Sequence, residues 1–182
     1  MRKENQRLYK AIGHIAWGYI FIHFDINLGA IDILPAWLGI FFIVNAIKHT
    51  IIMEEPSAKL IMPLGTFLCL DSFVTWLCNI LHVSFDIYIY GLVVTIISLY
   101  FHFQLLTNLA NIANLYDCKE ETKILTLRTV KTMLATAQVF LLQLEHEIIM
   151  VGLAMVQIIV CIWLCKVLFD FRKNFQSNHK NE

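Results

Sequence analysis

Charge is scarce in this sequence. Of its 182 residues 15% are charged, 14 Lys and Arg balance 14 Asp and Glu, and the formal net charge is zero. With no basic excess there is no electrostatic footprint for nucleic acid, and with no acidic excess none for a basic partner. Nucleic acid binding is therefore not expected. The spacings of metal-binding or redox cysteines are missing too. Cys69, Cys78, Cys118, Cys161 and Cys165 form neither a C-x-x-C pair nor a zinc-ribbon pattern and read as free thiols. Cys161 and Cys165 share one face of an apolar helix and read as small packing residues. There is no P-loop for a nucleotide and no G-x-S-x-G elbow for a hydrolase. His146-Glu147 opens like H-E-x-x-H, but the fifth position is Met150, so the second histidine of that zinc site is lacking. No cofactor and no catalytic residue is expected. No second domain, internal repeat or low-complexity segment interrupts the chain.

Apolar residues take the place of charge. Hydrophobic residues make up 58% of the chain, and a mean hydropathy of +0.66 leaves more apolar surface than one soluble core of this length buries. A membrane-spanning helix needs about 20 mostly apolar residues at about 1.5 Å rise each. Six windows meet that demand, over residues 8–24, 35–53, 60–80, 87–108, 126–144 and 148–168. The expected fold is all-α: a single polytopic transmembrane helix bundle over residues 1–182. Pro35 suits a first helical turn, Asp32 suits a cap for the second helix, and a bend is expected near Pro63 and Gly65. The basic start before Ala11 resembles a signal peptide, but His14 and His23 interrupt the run and no A-x-A site follows, so an uncleaved first helix is expected.

Charge sets the orientation. With a cytoplasmic N-terminus, the inner segments hold Arg2, Lys3, Arg7, Lys10, Lys48, Lys59, Lys119, Lys123, Arg128, Lys131, Lys166, Arg172, Lys173 and Lys180, which are all 14 Lys and Arg residues. The outer loops hold none, a positive-inside pattern that predicts six spans with both termini in the cytoplasm. Five spans would put the basic C-terminus outside. Arg128 and Lys131 belong in this reading to the inner turns of the fifth span.

Polar residues at depth are the candidate functional groups. Asp71 lies near the middle of the third span, where an ionisable group costs about 2.5–3.5 kcal/mol unless it is paired or hydrated. With Asn45, Gln157 and Gln138 it is expected to form an intramembrane polar centre, Asp71 facing the bundle interior. Leu64, Leu68 and Thr75 should then be buried with it, while Phe67 and Val74 point elsewhere. His14 and His102 lie on the inner halves of their spans. Gln104, Asn108 and Asn111 recur on one face of the fourth span, and Thr122, Thr126, Thr129, Thr132 and Thr136 on one face of the fifth. They are expected to meet as helix-helix hydrogen bonding or as the wall of an inward-facing vestibule. At the outer face His23, Asp25, Asp32, His82, Asp86, Glu145, His146 and Glu147 gather without Lys or Arg. Such a cluster reads either as helix caps and solvated loop charge or as a weak divalent-cation site.

Three resemblances accompany these readings. Glu54-Glu55 with Lys59 is similar to the paired glutamates of CAAX-type intramembrane proteases. There, however, the pattern ends in arginine within the membrane; here it adjoins Pro56 in an inner loop. The stretch Asp25-Ile-Asn-Leu-Gly-Ala-Ile-Asp-Ile-Leu-Pro-Ala-Trp-Leu-Gly39 resembles a hairpin of small, uncharacterised multi-pass membrane proteins of Gram-positive bacteria, I-N-x-G-x-I-D-I-L-P-D-[WF]-x-G-[YF]. The match covers residues 20–45 and departs at Ala36, where an acid is common, and at Ile40, where an aromatic is common. It implies a bacterial cytoplasmic membrane and no known chemistry. Size and span count also resemble the substrate-binding components of energy-coupling-factor transporters, an analogy without a motif match. The expected function is small-solute binding or transport in contact with the lipid bilayer. The alternatives are a non-catalytic assembly subunit partnering another membrane protein, and an intramembrane enzyme.

Overall fold

A computed structural model describes residues 3–23, 27–28, 31–32, 35–83, 88–141 and 147–178. Among the described residues six long helices account for nearly all of the structure. Helix α1 runs Lys3–His23. A backbone pairing of Asn27 with Asp32 and Leu28 with Ile31 forms a short β-hairpin, β1 and β2, over what sequence reads as a tight loop. Helix α2, Ala36–Glu54, follows. Pro35 precedes it with φ −66° and ψ 133°, and the side chain of Asp32, the expected cap, lies outside what is described. Proline's locked φ already sets the entry angle and leaves one fewer amide to satisfy.

A wider π turn at Ile47–Ile51 interrupts α2 near its end, and a 3-10 turn, Pro56–Leu60, leads into α3, Met62–Ile80. Pro63 stands in the first turn of α3, where its missing amide costs nothing. It therefore starts a helix instead of bending one. Helices α4, Tyr88–Leu115, α5, Glu121–Leu141, and α6, Glu147–Asn178, complete the chain. Helices α3 and α4 stop in the same way. His82 (φ 53°) and Asp117 (φ 51°) take the left-handed conformation, and the amides of Val83 and Cys118 reach back to Cys78 O and Ala113 O at 2.9 and 2.8 Å. Those bonds satisfy carbonyls that a helix end would otherwise leave open.

Each helix packs on the next, and α6 returns to α1, closing a ring in chain order. Two close approaches set its tightest seams. A Cβ at Gly39 would stand 2.5 Å from the Gly18 carbonyl oxygen, and one at Gly65 would stand 2.6 Å from the Phe101 ring. Only glycine lets α1 meet α2, and α3 meet α4, at this range. At the base, the end holding the start of α1, the guanidinium of Arg172 lies 4.1 Å over the Tyr9 ring and Tyr116 meets Phe175 edge-on at 4.9 Å. The core concentrates there: Leu8, Ile51, Ile61, Leu109, Phe171 and Phe175 are fully buried.

Among the described residues four helical stretches are long and apolar enough to cross a membrane: Ala36–Glu54, Met62–Ile80, Tyr88–Leu115 and Val151–Asn178. Helix α1 falls short because Lys3, Glu4, Arg7 and Lys10 occupy its first turns, and α5 because Lys123, Arg128 and Lys131 lie along it. Large apolar side chains such as Leu70, Val74, Ile89, Ile96, Ile159 and Trp163 are exposed on the outside of the ring.

Candidate functional site

Away from the base the ring does not fill. A cavity of about 440 Å³ opens between α1, α4, α5 and α6, within the usual size range of small-molecule sites. Leu99, Leu106 and Val139 give it apolar walls, while Thr95, Ser98, His102, Thr132, Gln138 and Gln157 line it with polar groups. Two cations, Arg128 and Lys131, complete the lining, and no Asp or Glu is among the described lining residues.

Both cations come from one face of α5, a helical turn apart. Arg128 Nη1 donates to Thr107 Oγ1 at 3.0 Å and its guanidinium carbon lies 4.4 Å over the Phe103 ring, while its Nε is buried without a partner. Lys131 Nζ stands 2.9 Å from His23 Nε2 and 4.7 Å over the Tyr19 ring. His23 Nδ1 lies 3.0 Å from the Tyr19 carbonyl oxygen, so the Nδ1 hydrogen donates there and Nε2 is left to accept from the Lys131 ammonium. The Tyr19 hydroxyl shares a 3.1 Å hydrogen bond with His102 Nδ1. Cys161 and Cys165, both buried, stand near Tyr19 and Lys131. The result is one connected polar group: Lys131, His23, Tyr19 and His102. Where α5 crosses a membrane, a charge at its centre would cost about 2.5–3.5 kcal/mol on insertion scales, so both cations are functional candidates.

The polar centre expected from sequence is divided. Gln138 and Gln157 line the cavity. Asp71 does not; half-buried on α3, it accepts a hydrogen bond from the Tyr90 hydroxyl and lines a separate recess with Ala36, Ser72, Thr75, Trp76 and Asn79. Asn45 lies in a third concavity between α1 and α2, of about 400 Å³, with Arg7, Lys10, His14 and His49. The stripe around Asp71 agrees only in part: Leu68 is buried, Leu64 half-buried and Thr75 exposed, while Phe67 and Val74 are exposed. Depth placed these groups at one level, but level says nothing about which neighbour each faces. His14 stacks against Phe42 at 6.1 Å and His102 bonds Tyr19, so neither joins Asp71.

The threonine and amide faces also diverge from expectation. Thr126, Thr129, Thr132 and Thr136 each donate to the carbonyl four residues earlier in α5, and of these Thr132 faces the cavity. Gln104 and Ser57 instead converge on Asn108 Oδ1 at 2.8 and 3.0 Å, and Asn111 reaches Glu55 at 3.3 Å. The amides of α4 therefore bind the turn after α2, because that turn reaches them first. Glu54 and Glu55 are used there as acceptors, Glu54 from the Tyr116 hydroxyl at 2.8 Å.

Of the outer acid and histidine cluster, Asp25, Asp86, Glu145 and His146 lie outside the described residues, and Asp32 and Glu147 are described in backbone only. His82 is exposed in its turn, and His23 has Lys131 as its partner, so the expectation of a histidine free of cations is corrected. Among the described residues no three His, Cys, Asp or Glu side chains are placed to hold a metal ion. Arg128 and Lys131 are what sequence reading missed as site residues. The signal was present: two cations three residues apart, well inside a long helix, assigned to its inner turns by the topology count.

Comparison with protein families, curated proteins and solved structures finds no match.

Proposed function

We propose that the chain is a six-span membrane protein, with both termini cytoplasmic, that binds a small polar solute in the cavity between α1, α4, α5 and α6 as a binding or transport subunit. The observation that carries this reading is the cavity itself: about 440 Å³ of space lined by two cations, two glutamines and several hydroxyls inside a ring of long helices. A bundle built only to hold a partner has no need to leave polar side chains around an unfilled interior, where each weakens packing. The segregation of all 14 Lys and Arg residues away from the outer loops supports the orientation. The hairpin resemblance over residues 20–45 supports a bacterial cytoplasmic membrane, with the lipid bilayer as surrounding partner.

Two measurements test this. Protein purified in mild detergent, then denatured and analysed by mass spectrometry, should release a small solute that the cavity-filling variant Ala135→Trp does not carry. Equal solute content in both would remove the cavity from the reading. For the orientation, a single cysteine at position 146 should react with an impermeant reagent from outside the cell; reaction only from the cytoplasmic side would end the six-span arrangement.

A further inference from the structure

We infer that the solute is a small hydroxylated organic acid, its anionic group held between Arg128 and Lys131; this rests on the solute-binding reading of the same cavity. Three observations converge. First, both cations line the cavity with no described carboxylate beside them. Among the described residues Arg128 contacts a hydroxyl and an aromatic face, and its buried Nε has no partner there. Lys131 contacts an imidazole and a phenol ring. None of these partners is a carboxylate, the usual counter-charge for cations drawn out of water. Second, the two cations project from one side of α5 a turn apart, a spacing that suits two donors on one carboxylate or phosphate group. An entering carboxylate would set one negative charge against the pair and accept hydrogen bonds from both.

Third, the rest of the lining selects the remainder of the molecule. Thr95 and Thr132 spend their hydroxyl hydrogens on Gly91 O and Arg128 O, both at 2.8 Å. Toward the cavity they present lone pairs, so they accept from a ligand hydroxyl. Gln138 and Gln157 offer both a donor and an acceptor to the same cavity. A molecule with one anionic group and several hydroxyls matches this lining.

The test is thermal unfolding and equilibrium binding of the full chain in detergent, with gluconate and with glucose as probes, and in nanodiscs of phosphatidylcholine with and without phosphatidylglycerol. Gluconate should raise the unfolding temperature progressively with concentration while glucose does not. Arg128→Gln and Lys131→Met should each weaken gluconate binding about tenfold or more, with Arg128→Lys recovering part of the loss. Equal binding of glucose and gluconate would overturn the anion while leaving the solute-binding reading intact. A shift with phosphatidylglycerol alone would make the anion a lipid headgroup and overturn a soluble acid. No shift with any probe at 100 mM would overturn the inference, and the released-solute measurement would then judge the broader reading separately. The wild-type comparison of gluconate with glucose needs no variant to fold.

Discussion

The base of the ring and its cavity half use similar residues in opposite ways. At the base the apolar side chains turn inward: Leu8, Ile51, Ile61, Phe171 and Phe175 are fully buried. Polar groups that enter this region are held in part by neighbours, Asn108 Oδ1 by Ser57 and Gln104 and Glu120 Oε1 by Asn174 at 2.8 Å, while Asn108 Nδ2 and Glu120 Oε2 have no partner among the described residues. In the cavity half Ile89, Val93, Ile96 and Ile159 turn outward instead, and the interior keeps Arg128, Lys131, Gln138 and Gln157 around open space. In water such an arrangement would be penalised on both sides. In hydrocarbon the outward apolar surface costs nothing, so the interior of one half is released from the task of holding the fold. The base does that work, and the other half can leave its interior open.

The contrast is sharpest for core truncation. Phe175→Ala, at the fully buried base, should destabilise by about 3–5 kcal/mol, whereas Leu99→Ala, facing the cavity, should cost less than about 1.5 kcal/mol because it enlarges a space already present. Unfolding of the two variants in mild detergent measures the pair, and equal losses would end the distinction between the halves.

A smaller effect is expected at Asp71. Its one described side-chain partner is the Tyr90 hydroxyl, in the first turn of α4, so Asp71→Leu should cost about 1 kcal/mol, as interhelical hydrogen bonds in membranes do. It should leave solute binding unchanged, since Asp71 does not line the cavity. Loss of binding in that variant would return Asp71 to the site.

Lys131 should behave differently again. A cation held only by neutral groups contributes little to folding, so Lys131→Met should change stability by less than about 1 kcal/mol or increase it, even as it weakens binding. A loss of several kcal/mol would make Lys131 a structural residue of the kind found at the base.

The mildest probe is chemical. Burial, then Glu120, then Asp117 push the Cys118 thiol from 9.0 up to about 11. At pH 8 its thiolate fraction, and with it maleimide labelling, should be about 100-fold below that of an ordinary thiol, rising about tenfold per pH unit toward 11. Because the folded value is raised, the thiol's contribution to stability is complete below pH 9 and is lost as pH rises toward about 11. Labelling a chain with the other four cysteines replaced measures this, and fast reaction at pH 8 would show the base to be looser than its packing.

Much of the fold was legible because hydropathy and length carry it directly. The six sequence windows fall on the six long helices, although α4 and α6 extend to Leu115 and Asn178, beyond the apolar stretches that located them. Those extensions are amphipathic ends that bury one side at the base, and a window chosen for apolarity stops before them. The candidate site was half legible. Gln138 and Gln157 were identified by depth and do line the cavity, but Asp71 and Asn45, chosen by the same rule, do not. Arg128 and Lys131 were set aside because the charge count had already placed them at the inner edge. Helix α5 begins at Glu121, five residues before the expected 126, which carries Lys131 to the helix midpoint.

The sequence by itself determined that the chain forms long apolar helices with its cations segregated, because chain solvation in a bilayer depends on composition along each segment and on little else. Which groups meet was decided only by the tertiary structure. Rotation of each helix about its own axis is set by its packed neighbours, through contacts such as Gly18 with Gly39 and Gly65 with Phe101. That rotation turned Asp71 toward Tyr90 and brought Lys131, His23 and His102 to one cavity, with Tyr19 bonded to His102 in the packed interior.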